Sequence, residues 1–144
     1  MSQKSKQKSV YGIGVDIVSV NRMWVKLRRH GDKFARKILT SYEYSIYSSI
    51  NDTHKKAQYV AKCWAVKEAF VKAMGTGFSG KFTWGNIGYF SPKGHTVSGK
   101  PRVNLSDDIR WDSSMINKVV HLSVSDETEN VIAFVTIEES GYNV

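Results

Sequence analysis

Asp16 and Glu68 are the two acidic side chains whose settings point most directly to chemistry. Asp16 sits near the end of the apolar run Gly12-Ile13-Gly14-Val15-Asp16-Ile17. Glu68 lies in Trp64-Ala65-Val66-Lys67-Glu68-Ala69-Phe70-Val71-Lys72-Ala73-Met74-Gly75-Thr76-Gly77. A carboxylate at a strand end and a second on a helix face can share one hard divalent cation. Mg²⁺ takes oxygen ligands octahedrally and commonly uses one or two carboxylates beside phosphate and water. Lys72, one turn beyond Glu68, can hold a phosphate next to such a cation. The Gly75-Thr76-Gly77 turn can add backbone N–H groups. Together these residues read as phosphoryl-group chemistry. Each also has a plainer reading: Asp16 as a turn acid, Glu68 as an exposed acid paired with Lys72 at i, i+4, and the glycines as a helix C-cap.

Other chemistries have less to stand on. Cysteine pairs and His-x-x-His spacing are both missing, which argues against zinc. There is no Gly-x-Gly-x-x-Gly and no Walker loop. His121 and Ser123 alternate with Leu122 and Val124 and would share one face of a strand, either as ligand contacts or as ordinary half-exposed polar residues. His30, His54 and His95 belong to no constellation. Cys63, the single cysteine, falls in the stripe Tyr59, Cys63, Val66, Phe70 and is expected in the core; its solitude fits a reducing compartment.

The elements that must position Asp16 and Glu68 are legible from periodicity. Residues 10–18 read as a strand. Ser19 or Asn21 can cap a helix bearing the stripe Met23, Leu27, His30, Phe34, Ile38, which Gly31-Asp32 divides in two. A short helix over Tyr42–Ile50 follows Thr40-Ser41, with Glu43 in a capping arrangement. The long helix runs from Thr53, its expected N-cap, to Met74, with Gly75 as the left-handed stop. Its core stripe is Tyr59, Cys63, Val66, Phe70, Ala73, Met74; Glu68 lies about 200° from Val66 and so faces away. Ala57, Ala61 and Ala65 would let the first strand approach. Strand signals then recur at Phe82–Trp84, Ile87–Ser91 and Arg102–Leu105, with a turn at Ser91-Pro92-Lys93-Gly94. A short helix spans Ser106 to about Met115, and a hairpin joins Lys118–Ser125 to Val131–Ile137. The expected class is α+β, helices packed on a mostly antiparallel sheet, as a single domain over 10–144 behind a disordered basic tail of residues 1–9.

A chain of 144 residues with 41% apolar content suits one soluble domain. Its apolar runs fall far short of the roughly 20 residues that span a bilayer, so no membrane-spanning segment is expected. Met1–Lys8 is basic and polar without an apolar stretch, unlike a secretory signal. A cytoplasmic location is expected, with an organelle after removal of a targeting segment as the alternative. The net charge of +8 is concentrated: residues 1–37 hold ten Lys or Arg and two acids, while the rest balances. An acidic partner is expected there, be it nucleic acid, an anionic membrane or an acidic protein.

The two motifs, their order and their separation resemble the signatures of holo-acyl-carrier-protein synthases, the small 4′-phosphopantetheinyl transferases. Arg22, Arg36-Lys37-Ile38-Leu39-Thr40, Gly99-Lys100-Pro101 and His121-Leu122-Ser123-Val124-Ser125 extend the likeness over roughly residues 10–138. The family usually carries Arg-Phe where this chain has Cys63-Trp64, so one arginine is missing, with Lys62 beside the gap. The resemblance implies transfer of 4′-phosphopantetheine from coenzyme A to a serine of apo-acyl carrier protein, a step that serves fatty acid biosynthesis. It implies Mg²⁺ on Asp16 and Glu68, Glu68 and Lys72 as catalytic groups, and coenzyme A contacts from Lys72, Gly75, Thr76, Gly77, His121 and Ser123. It implies an acidic carrier protein docking on Arg22, Arg36 and Lys37, and a homotrimer with sites at subunit interfaces. On this reading neither nucleic acid nor a membrane is a partner. The competing reading is a non-catalytic basic module that binds nucleic acid through residues 1–37. The aromatics are not interleaved with that basic cluster as a stacking platform would be.

Overall fold

The computed structural model describes residues 6–92 and 100–142. Strand β1 (Lys6–Ser19) leads into α1 (Val20–Ile38), α2 (Ser41–Ser49) and the 22-residue α3 (Thr53–Met74). Strands β2 (Ile87–Phe90) and β3 (Arg102–Leu105) follow, then α4 (Asp107–Arg110) and a single 3₁₀ turn at Ser113–Met115. Strands β4 (Lys118–Asp126) and β5 (Asn130–Tyr142) end the described chain. One sheet has the order β1-β5-β4 and the other pairs β2 with β3, all antiparallel. The class is α+β, as the sequence suggests, but its strands divide between two sheets.

Helix α3 is buried nearly all round, which its alanines and its apolar stripe require. Ala57, Ala61, Ala65 and Ala69 are fully buried, as are Val60, Cys63, Val66 and Phe70. Asp52 caps its start, its carboxylate accepting from the Lys55 N–H at 2.8 Å; Thr53, the expected cap, is instead the first helical residue. Gly75 ends it at φ 75°. Along the three-stranded sheet, Val18, Val131, Ala133, Val135 and Ile137 point inward onto α3, giving one contiguous core.

Two further sequence expectations are met at atomic detail. Gly31 breaks α1 with φ 54° and ψ −139°. Thr40 and Glu43 form a reciprocal capping box on α2. Two are corrected. Residues 6–9 are not tail but strand: Lys6 pairs with Tyr142 and Ser9 with Glu139. Strand β5 runs long enough to offer them ladder positions, and backbone pairing needs no apolar alternation. Residues 1–5 and His95 lie outside the described residues, as do Gly99 and Lys93-Gly94, the second half of the expected turn. Phe82–Trp84 forms a turn rather than a strand, because its rings pack as side chains. Phe82 meets Phe70 at 6.3 Å, and Trp84 meets Trp64 at 4.6 Å and Phe78 at 4.0 Å between ring centroids.

Candidate active site

Alternation along β1 sends Gly12, Gly14 and Asp16 to the face that meets α3. A Cβ at Gly12 would collide with the Ala73 carbonyl oxygen, and one at Gly14 with that of Ala69. Two missing side chains thus let strand and helix backbones touch. The contact falls on Ala69 and Ala73, continuing the alanine ridge one and two turns past Ala65. Asp16, the next inward residue, is thereby held against the last turns of α3, where Glu68 and Lys72 project.

Lys72 bridges to the strand rather than along its own helix. Its ammonium lies 3.2 Å from Asp16 Oδ1 and donates to the Val15 carbonyl at 2.9 Å. The expected i, i+4 pair with Glu68 is replaced by this cross-element pair. The Asp16 side chain is mostly buried while that of Lys72 is half exposed. Asp16 Oδ2 is buried and finds no hydrogen-bond partner among the described residues. Burial raises the Asp16 carboxyl above its ordinary pKa, opposed by Lys72. Burial also raises Glu68, and the Asp16 charge raises it further.

A buried, unsatisfied carboxylate oxygen beside a second carboxylate is a cost that a bound cation removes. No third His, Cys, Asp or Glu joins the pair among the described residues. Two oxygen donors fit a hard cation that keeps water and takes phosphate oxygens, so the donor set matches Mg²⁺.

The raised carboxyls carry a consequence for stability. Folding favours the protonated form of Glu68, so its contribution is most favourable below the ordinary carboxyl range near ~4 and is lost as pH rises through the raised value. In metal-free protein, Glu68→Gln is therefore expected to raise Tm at pH 7 and to leave it unchanged near pH 3.5. Scanning calorimetry at both pH values checks this; a lower Tm at pH 7 would contradict it.

The remaining expected residues fall in separate places. The Gly75 N–H bonds the Val71 and Lys72 carbonyls and the Thr76 N–H bonds Val71, so both serve the helix end. The phosphate cradle expected from Gly75-Thr76-Gly77 is reduced accordingly, and the negative end of the helix dipole also disfavours an anion there. Lys72, in the last turn, is the group that offsets it. His121 and Ser123 are exposed on the opposite face of the sheet from Asp16. Within one chain the sheet itself separates them from the carboxylates. His121 pairs there with Glu138 at 3.3 Å. A cleft of about 570 Å³ along the β4 edge joins His121 and Ser123 to Lys100 and Arg102. Arg102 was not singled out by the sequence, though basic residues flanking a Lys-Pro turn were a usable signal.

Arg22, Arg36 and Lys37 are all exposed, the first at the start of α1 and the others past its break. Lys26, between them, lies 4.6 Å from the Trp64 ring centroid, one helical turn before Glu68. Cys63 points into the core, where burial pushes its thiol far up, so it neither replaces the missing arginine nor acts as a nucleophile. Lys62 is held by Asp126 at 3.2 Å. Sequence reasoning also passed over Glu43 and Lys67 as a pair; both are fully buried, 2.6 Å apart.

Comparison with known proteins gives a consistent picture. The family model described as the 4′-phosphopantetheinyl transferase superfamily matches residues 12–134. A holo-[acyl-carrier-protein] synthase of Wolbachia pipientis subsp. Culex pipiens is 38% identical over 130 residues, 89% of this chain and 97% of that protein. The crystal structure of the holo-[acyl-carrier-protein] synthase of Neisseria meningitidis superposes with a TM-score of 0.77 at 38% identity, covering 90% of this chain and 98% of that one. The holo-(acyl-carrier-protein) synthase of Bacillus anthracis, solved in complex with CoA (3′,5′-ADP), gives 0.71 at 30% identity, covering 90% and 97%. No described helix is long and apolar enough to cross a membrane.

Proposed function

Since this chain belongs to the 4′-phosphopantetheinyl transferase superfamily, we propose that it transfers 4′-phosphopantetheine from coenzyme A to a serine of an apo-acyl carrier protein. The products are holo-acyl carrier protein and adenosine 3′,5′-bisphosphate. In bond terms, the serine oxygen attacks the β-phosphorus of the pyrophosphate, and the bond from that phosphorus to the bridging oxygen breaks. The serine proton leaves with a base and the α-phosphate departs with the adenosine moiety.

The observation that carries the site assignment is Asp16. Its buried Oδ2, without a partner among the described residues, and the effect of its charge on Glu68 support the two carboxylates as the holders of Mg²⁺. When bound, the cation offsets negative charge on the pyrophosphate oxygens. Glu68, whose carboxyl burial and the Asp16 charge raise from its ordinary value, is the base for the serine proton. Lys72 places a positive charge beside the phosphates and is the group that neutralises the departing one. Gly77 contributes at the edge of that subsite, with Gly75 and Thr76 shaping the turn.

The cleft of Lys100, Arg102, His121 and Ser123 supports the reading of His121 and Ser123 as coenzyme A contacts. Because that cleft lies across the sheet from Asp16, one complete site needs two chains. The outer sheet face supports an assembly: Ile13, Val15 and Ile17 of β1 and Ile132 and Phe134 of β5 are 40–63% exposed and contiguous in register. A homotrimer, with His121 brought by a neighbour, is the arrangement we assign. The single buried cysteine accords with the cytoplasm.

The basic face of α1 suits an acidic carrier protein. Reversing Arg22 to Glu is expected to raise the carrier-protein KM about tenfold, leave the coenzyme A KM unchanged, and lose much of its effect in high salt. Steady-state kinetics in both substrates reads this out; an equal loss of coenzyme A affinity would remove the docking role. The whole reading is tested by incubating the protein with coenzyme A, Mg²⁺ and an apo-carrier protein. Mass spectrometry then looks for the phosphopantetheine increment. Salt-dependent DNA binding without that increment would favour the nucleic-acid module.

A further inference from the structure

Glu43 and Lys67 have no place in the chemistry above, yet few side chains in the molecule are bonded so completely. The Lys67 ammonium donates to the Glu43 carboxylate at 2.6 Å, to the Ile38 carbonyl at 2.6 Å and to the Trp84 carbonyl at 2.9 Å. Glu43 Oε1 also accepts from the Thr40 N–H at 2.8 Å, and Oε2 from the Tyr89 N–H at 2.6 Å. Both side chains are fully buried. The end of α1, the start of α2 and the turn at Trp84 therefore converge on one side chain of α3, and strand β2 is tied to it through Glu43. That side chain immediately precedes Glu68.

Stability alone does not account for such a pair. A buried ion pair roughly breaks even against apolar residues of the same volume, because desolvation consumes its Coulombic gain. Its distinctive property is geometric. On the β1 side, the closest approach of α3 is to Gly12 and Gly14, which set its distance but offer no side chain at those positions to oppose a roll, leaving the Lys72–Asp16 contact and Val18 as the side-chain restraints there. A roll of about 20° would carry a carboxylate roughly 2 Å at the ~6 Å outer radius of a helix. Displacements of ~1 Å at a reacting group can cost about a hundredfold in rate.

We propose that the Glu43–Lys67 pair is a positioning element that locks the rotation of α3 about its axis and so aims Glu68 at the Asp16 carboxylate. The pair touches neither substrate nor cation. The proposal rests on the reading of Glu68 as a site residue. If Glu68→Gln left transfer intact, that reading would fail on its own, whatever the pair does.

The test separates aim from stability. Lys67→Met alone strands a buried carboxylate and should unfold the protein at lower temperature. Lys67→Met combined with Glu43→Gln removes both charges and keeps an acceptor for the Tyr89 N–H, so Tm should recover. With Tm recovered, kcat is expected to stay down about thirtyfold, the carrier-protein KM to change less than about twofold, and Mn²⁺ affinity to stay about tenfold weaker. Electron paramagnetic resonance on coenzyme-A-free protein measures the last of these. Glu43→Gln alone, which keeps an oxygen for Lys67 but leaves its ammonium without a counter-charge, is the second variant; it should lower Tm less than Lys67→Met and weaken kcat and Mn²⁺ affinity in the same direction as the double variant. Return of kcat and Mn²⁺ affinity together with Tm would mean the pair is only structural and would overturn the proposal. Failure of both Gln-bearing variants to fold would overturn it too, since the pair would then be indispensable to the fold itself.

Discussion

With Glu68 replaced by Gln, the maximal rate of phosphopantetheine transfer is expected to fall by about 10²–10⁴ at saturating Mg²⁺ and coenzyme A. The substitution keeps the shape of the side chain and removes two capacities at once. The amide cannot take the serine proton, and it is a poorer donor to a hard cation than a carboxylate. Loss of the second capacity alone would be repaired by raising Mg²⁺; loss of the base would not. A titration of Mg²⁺ in single-turnover transfer therefore divides the effect. The part that persists at saturation measures Glu68 as a base. A variant with near-normal rate at saturating Mg²⁺ would refute that role. In metal-free form the same variant is expected to be more stable than the parent at neutral pH, and circular dichroism of both proteins in saturating Mg²⁺ checks that a rate loss is not unfolding.

A charge placed on the outer sheet face should have an effect of similar size by a different route. Val15 is 53% exposed and sits beside Phe134 in the β1–β5 ladder. Its neighbour Asp16 points the other way, into the site. Val15→Asp is expected to yield monomers by light scattering and to reduce transfer at least about a hundredfold, with the chain still folded by circular dichroism. His121 and the carboxylates lie on opposite sides of one sheet, and in the proposed trimer they meet across a subunit boundary. Mixing is the sharper version. Chains carrying Glu68→Gln and chains carrying His121→Ala, each weak alone, should regain transfer when assembled together. Full activity in a Val15→Asp monomer would dismiss both the trimer and the shared site.

What the sequence made legible follows from how local each signal is. The long helix, its glycine stop, the break at Gly31 and the Thr40–Glu43 capping box all rest on residues within a few positions of one another. The alanine ridge was visible, but the point where β1 touches it was not. That point depends on Gly12 and Gly14 meeting Ala73 and Ala69, a pairing of distant segments. Lys67 was unreadable for a sharper reason. A lysine between Val66 and Glu68 looks like a solvated helix residue, and only three carbonyl and carboxylate groups from elsewhere in the fold make its burial tolerable. The polar strand residues Lys6–Ser9 were missed because their stabilisation comes from the β5 backbone and leaves no pattern in side-chain type. His121 and Ser123 were placed on one strand face correctly; which side of the sheet that face would take could not be read from alternation.

The β1–β5 ladder bears on how the molecule is made. Asp16 lies opposite Ala133, and Lys6 opposite Tyr142, so the first described strand finds its only sheet neighbour in the last one. Helices α1 to α3 can form from contacts near in sequence, whereas β1 must wait for the far end of the chain. Pairings of such separation are the slow ones, since loop closure precedes any gain from contact. During synthesis, then, a helical intermediate would carry Glu68 and Lys72 in place while Asp16 still lacked its frame. Within one chain, the pair of carboxylates would be complete only with the closing of that ladder, before chains assemble.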